Sequence, residues 1–190
     1  MSDQTFERIQ ALFDIKQFAS VRVFIIGCGS GGGSVALQLV MSGIRNFSLL
    51  DRDTLGPENV IRHVCGRAFI GQRKIDALEA ILKDRNPDID FKKIQADVMT
   101  FDSLENEIKR SNVVILATDN EPSRYRVNEL CVRNNIPFVV GRVFTRGIGG
   151  EIFSFRPGLG CLACLEGYLQ RTTFREGIRE IDLVSEEERE

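Results

Sequence analysis

Five glycines crowd residues 25–34, IIGCGSGGGS, directly behind a short apolar run rich in β-branched residues. Ordering a glycine costs more backbone freedom than ordering any other residue, so this density needs a reason. Gly27, Gly29 and Gly32 spell G-x-G-x-x-G between a strand pattern and a helix pattern. At such a junction the first glycine turns the chain, the second admits a phosphate to the backbone, and the third lets helix meet strand. The helix behind them offers free N–H groups and the positive end of its dipole. The bland alternative is a tight turn. Asp51 follows at the end of the next apolar run, about twenty residues on, where a carboxylate accepts hydrogen bonds from ribose hydroxyls. Proteins that use NAD and proteins that use ATP share both features.

The stretch that separates them is DRDTLGPENVIRHVCGRAFIGQRKIDA, residues 51–77. A dinucleotide fold starts its next helix soon after the acid, whereas here a polar loop brings Asn59, Arg62 and Lys74. An amide, a guanidinium fork and an ammonium suit a triphosphate; a diphosphate already cradled by the glycines needs no such set. Taken singly, each cation could equally be a solvated loop residue. Asp119 and Asn120 end a third apolar run, where either could cap a following helix.

These elements are set by a regular alternation. Residues 21–26, 46–51, 89–98 and 112–119 read as strands; residues 33–44, 71–87, 103–110 and 123–135 read as helices. Residues 5–19 form an amphipathic pattern with Phe6, Ile9, Leu12 and Phe13 at helical spacing. Two further strand patterns, IPFVVGRVF and GGEIFSFRPG, pair as neighbours, antiparallel to each other. The expected fold is α/β: a Rossmann-like, doubly wound, mostly parallel sheet with helices on both faces and a short antiparallel extension near the C-terminus. Its ligands would sit beyond the carboxyl ends of the strands. The expected organisation is an N-terminal helical segment (1–20), a nucleotide-binding domain (21–165) and an acidic tail (166–190).

The chain has 190 residues, 43% hydrophobic and 27% charged, which suits one globular domain. With 25 basic and 27 acidic residues it carries no nucleic-acid footprint. No apolar run reaches the length of a membrane span, and the N-terminus lacks a signal-peptide core. Five cysteines, an odd number, argue for reduced thiols and a cytoplasmic setting.

The glycine loop, the acid-x-acid DRD, NVIR, GQRK and ATDN occur in the order and spacing of the ThiF/MoeB/HesA adenylyltransferase family, whose fold ubiquitin-activating enzymes share. The resemblance spans roughly residues 5–165. It implies an ATP-dependent enzyme that activates the C-terminal carboxylate of a ubiquitin-like or sulfur-carrier protein as an acyl-adenylate. It also implies a homodimer, while the charge balance and the lack of a long apolar run give the expectation of no nucleic acid and no membrane. Carried over, Asp51 and Asp53 would serve the nucleotide, with Asp51 on the ribose. Asn59, Arg62 and Lys74 would hold the triphosphate, Asp119 would hold magnesium, and Arg8 would reach a neighbouring subunit's ATP site. Two other readings stand beside it: an NAD-binding oxidoreductase, and a non-catalytic nucleotide-binding module of a larger protein.

Cys161 and Cys164 form C-x-x-C, half of a zinc site that needs four ligands. In the family a second C-x-x-C follows; here no cysteine follows Cys164, and His63 is the one histidine. Pairing across a dimer, an empty site, a redox pair and a truncated chain are the alternatives, and the acidic ending at Glu190 favours truncation. The family's thioester or persulfide cysteine also lies downstream of that motif. That leaves Cys65, in the polar loop, as a candidate thiol, while Cys28 reads as a small packed residue. His63 stands where relatives carry glutamine, either facing a ligand or incidental.

Overall fold

The structure, a computed structural model, describes residues 14–144 and 149–176. A six-stranded sheet runs in the order β3-β2-β1-β4-β5-β6. The strands are β1 (Arg22–Ile26), β2 (Asn46–Leu50), β3 (Asp90–Ile94), β4 (Val113–Leu116), β5 (Phe138–Val143) and β6 (Gly150–Phe155). All neighbours are parallel except β5 and β6, where Phe138 pairs with Phe155 and Val143 with Gly150. The helices are α1 (Ile15–Ser20), α2 (Ser30–Met41), α3 (Lys74–Arg85), α4 (Leu104–Lys109), α5 (Glu121–Arg133) and α6 (Leu162–Glu176).

Alternate residues of a strand face opposite ways, and β1 shows why its apolar run is continuous. Val23 and Ile25 join one buried cluster with Ala36 and Val40 of α2 and Leu78 and Leu82 of α3. Phe24 and Ile26 join the other with Leu104 and Ile108 of α4, Val127 of α5 and Leu162 of α6. Ile26 is in register with Leu50 on one side and Leu116 on the other, so three strands end at one level. From β1 the chain steps outward to β2 and β3, then crosses back to β4 on the other side of β1, so the strand order reverses there. That reversal opens the crevice in which sheets of this kind bind ligands.

One boundary moves. Helix α2 begins at Ser30 and not at residue 33, so the last glycines of the motif form its first turn. Glycine's poor helix propensity is outweighed by packing: Gly32 and Gly33 are buried. Of the amphipathic N-terminal pattern, Ile15–Ser20 is helical, capped by the Asp14 carboxylate, which accepts from Gln17 N. The rest of it, Arg8 included, lies outside the described residues. No helix among the described residues is long and apolar enough to cross a membrane.

Candidate nucleotide site

The three motif glycines are glycines for three different reasons. Gly27 turns the chain out of β1 with φ +91°, and a Cβ there would lie 2.7 Å from Ala117 O. A Cβ on Gly32 would lie 1.9 Å from Gly27 O, which no side chain can survive. Gly29 has nothing within 4 Å of that position and is the N-cap of α2, with no side-chain cap. The first-turn N–H groups of a 12-residue helix therefore lie behind an open, side-chain-free approach.

Asp51, 9% exposed, fastens the loop to the end of β2. Its Oδ2 accepts from Cys28 N and its Oδ1 from Asp53 N, each at 2.7 Å. Each oxygen keeps a second lone pair for a ribose. Cys28 beside it is buried, and burial first, then the Asp51 charge, push its thiol well above the ordinary range.

The polar loop folds back on itself. Leu55 N donates to Gln72 O and Gly71 N to Leu55 O, while Thr54 and Arg73 form an antiparallel bridge. Lys74 N donates to Asp53 O, and Lys74 Nζ lies 2.8 Å from Asp53 Oδ2. The expected nucleotide ligands Asp53 and Lys74 are thus each other's partner, with the Lys74 side chain 12% exposed. Asn59 is buried in a short 3-10 turn: its Oδ1 accepts from Gly56 N, and its carbonyl accepts from Arg62 N and His63 N. That turn delivers Arg62 to the glycine loop, where Arg62 Nε donates to Ser30 Oγ at 3.2 Å.

His63 does neither of the things expected of it. Its Nδ1 accepts from Cys65 N at 3.1 Å, leaving Nε2–H to donate to Cys28 O at 2.8 Å. The ring is buried and lies near Gly33, so it is a clasp under the glycine loop rather than a ligand or an idle loop residue. Cys65 is corrected too. It is fully buried, and burial raises its thiol to about 11, which leaves no thiolate to act as a nucleophile near neutrality.

Across the crevice, β4 runs into a tight turn before α5. Asn120 is the cap of α5, accepting from Ser123 N at 3.0 Å, so the capping role falls to it and not to Asp119. Asp119 is exposed, and its carboxylate has no hydrogen bond or ion pair among the described residues. An exposed carboxylate at a strand end is of the hard oxygen class that suits a magnesium ion. Asp51 and Arg62 reach the glycine loop directly, through Cys28 N and Ser30 Oγ, while Lys74 is tied to Asp53, Asn59 to Gly56, and Asp119 stands two residues after Ala117, which packs on Gly27.

Cys161 and Cys164 lie elsewhere, at the start of α6, with their sulfurs 3.6 Å apart. Burial raises the Cys161 thiol, but hydrogen bonds with Cys164, Asn128 and Ala163 outweigh it and hold the thiol below its ordinary value. Among the described residues no group of three or more His, Cys, Asp or Glu could hold a metal.

Sequence reasoning missed Ser30, the clasp by His63 and a set of charges around Arg142. Histidine directly after the key arginine was the signal for the second; nothing local marked the third.

The model of the ThiF family matches residues 4–183, and the chain belongs to that family. The sulfur carrier protein ThiS adenylyltransferase of Escherichia coli (strain K12) is 31% identical over 147 residues, covering 76% of this chain and 57% of that protein. The molybdopterin-synthase adenylyltransferase of the same organism is 29% identical over 145 residues, covering 76% and 58%. Among solved structures, E. coli MccB superposes with a TM-score of 0.75 at 20% identity, covering 95% of this chain and 56% of that one. The chain thus spans a little over half the length of these proteins.

Proposed function

We propose that the chain is an ATP-dependent adenylyltransferase acting on the C-terminal carboxylate of a ubiquitin-like or sulfur-carrier protein. One observation carries this: Arg62 is folded back onto Ser30, at the first turn of the phosphate-facing helix, by a loop a dinucleotide site has no use for. The open face at Gly29 admits the phosphates, and the unspent Asp119 would hold the magnesium ion that accompanies them. Magnesium would supply charge neutralisation on the phosphate oxygens. The chain's own residues position and polarise: α2 N–H groups and Arg62 draw charge off the triphosphate, Lys74 adds an ammonium, and Asp51 orients the ribose. A carboxylate oxygen forms a bond to the α-phosphorus, the bond to the bridging oxygen breaks, and pyrophosphate leaves with the electron pair. The names of the relatives support the acceptor class: one adenylylates ThiS, and another serves molybdopterin synthase. MccB, of the same fold, has been crystallised with ATP. The same reading takes the protein as a cytoplasmic homodimer in which Cys161 and Cys164 supply half of a zinc site.

Thermal shift with Mg-ATP and separately with NAD tests the ligand. A ligand at a hundred times its Kd adds about 2.7 kcal/mol, which at this size is roughly 5–10 °C. A shift with Mg-ATP that shrinks in Asp119→Ala is the expected result. A shift with NAD alone overturns the reading. Pyrophosphate exchange in the presence of a carrier protein then separates an enzyme from a binding module, which would shift without exchanging label.

A further inference from the structure

Among the described residues the Asp119 carboxylate has no partner of its own, so its position there is set by the turn that carries it. That turn is pinned through its backbone. Thr118 O accepts from Arg124 Nη2 at 2.9 Å, and Thr118 Oγ1 meets Ser123 Oγ at 2.5 Å. Arg124 is a buried arginine, with only 8% of its side chain exposed. A buried guanidinium keeps its place only if its charge is met. Glu121, the first residue of α5, meets it by pairing with Arg124 Nη1. Glu121 is half exposed, and a lone half-exposed carboxylate is a loose anchor. It is steadied from the far side by Arg142 of β5, whose Nη1 lies 3.5 Å from Glu121 Oε1.

Arg142 is itself enclosed. Its Nη1 lies 3.0 Å from Glu166 of α6, and its Nε 2.6 Å from Glu151 of β6. The series Thr118 carbonyl, Arg124, Glu121, Arg142, then Glu151 and Glu166 is an unbroken alternation of sign across four elements. Three carboxylates meet two guanidiniums, so Arg142 is what keeps Glu121, Glu151 and Glu166 from repelling one another. Without it, Glu121 gains two like-charged neighbours and Arg124 is left with the weaker half of its support.

We propose that Arg142 is a positioning residue for the proposed reaction, holding the Asp119 turn in register with the glycine loop through Glu121 and Arg124. It touches neither nucleotide nor metal. Its effect reaches the site through the Thr118 carbonyl, one residue before Asp119. The inference rests on the adenylyltransferase reading for its functional consequence, and on the charge alternation alone for its structural one.

Two readouts on the full chain keep these apart. Hydrogen exchange of the amides of residues 117–124, without ligand, reports the turn. The magnesium concentration giving half of the Mg-ATP thermal shift reports the site. Outer residues that orient a metal ligand typically change metal affinity by about tenfold or more when removed. Arg142→Gln should therefore speed exchange in residues 117–124 and raise the magnesium requirement by about tenfold. Arg142→Lys should recover part of both. Glu121→Gln, a milder change at a half-exposed position, should move both the same way, and the double variant should show less than the sum of the single effects. Unchanged exchange and unchanged magnesium requirement in folded Arg142→Gln and Glu121→Gln overturn the proposal. So does a lower melting temperature with neither readout changed in Glu121→Gln. If the wild type shows no Mg-ATP shift, the adenylyltransferase reading fails, and hydrogen exchange alone decides whether the relay holds the turn.

Discussion

On the β2 side of the crevice the ligand-facing surface is backbone, held by packing and by hydrogen bonds to the main chain. Gly27 lies against Ala117, Gly32 against Gly27, Asp51 holds Cys28 N, and His63 holds Cys28 O. On the β4–β5 side the proposed ligand-facing group is the Asp119 carboxylate, on a segment whose Thr118 carbonyl meets Arg124, which pairs with Glu121 and through it with Arg142. The first arrangement is short-ranged and, at Gly27 and Gly32, admits no slack, since an extra methyl group there has nowhere to go. The second is longer-ranged and tolerant of small shifts. The two would suit the tasks proposed for them: a phosphate cradle must present several N–H groups in fixed directions, whereas a metal ligand needs one oxygen within reach.

Substitution can test that contrast. The largest effect belongs to Gly32→Ala. Its Cβ would meet Gly27 O at 1.9 Å, and overpacking against backbone should cost about 3 kcal/mol or more, read as a lower urea midpoint. Gly29→Ala, one turn away in open space, should change stability by less than about 1 kcal/mol yet abolish the Mg-ATP shift. Equal destabilisation by the two would erase the distinction between a packed and a facing glycine. His63→Ala comes next. It strands a buried carbonyl at Cys28 and an N–H at Cys65, at about 1–3 kcal/mol in the same unfolding experiment. A wild-type midpoint would mean that the clasp does not hold the loop.

The smallest effect is chemical. Of the five cysteines, iodoacetamide on the native protein near neutral pH should reach Cys164 and Cys161, leaving Cys28, Cys65 and Cys131 unmodified by mass spectrometry. Burial raises Cys65 to about 11 and Cys131 to about 12. Folding holds these thiols protonated, so their contribution to stability is complete below the ordinary value of 9.0 and is lost as pH rises through those values. Rapid labelling of Cys65 would place it back among the reactive groups of the loop.

The same contrast explains what could be read in advance. Strands β1, β2 and β4 were legible because both faces of the sheet are covered, which writes each as an unbroken apolar run with an acid or a turn at its end. The glycine motif was legible because its spacing is local. The start of α2 was not, since glycine's low helix propensity argues against residues 30–32 and only packing against Ala117 and Val64 overrides it. Asp53 with Lys74 and Arg62 with Ser30 join residues 21 and 32 positions apart, and no spacing rule reaches that far. The donor chemistry of the polar loop brought Arg62 and Lys74 forward as candidates, and the family resemblance gave them roles. It could say nothing of Arg142, whose partners come from α5, β6 and α6.

The register of β1 has a consequence for how the molecule assembles. Arg22 and Asn112, bonded across the start of the β1–β4 pair, are 90 residues apart, while β5 and β6 pair as near neighbours along the chain. Distant pairings form late, because a long loop must close before any contact rewards it. Gly27 takes its final packing from Ala117, so the glycine loop cannot mature until β4 has docked. During synthesis the earliest-made part of the crevice is thus among the last to take shape.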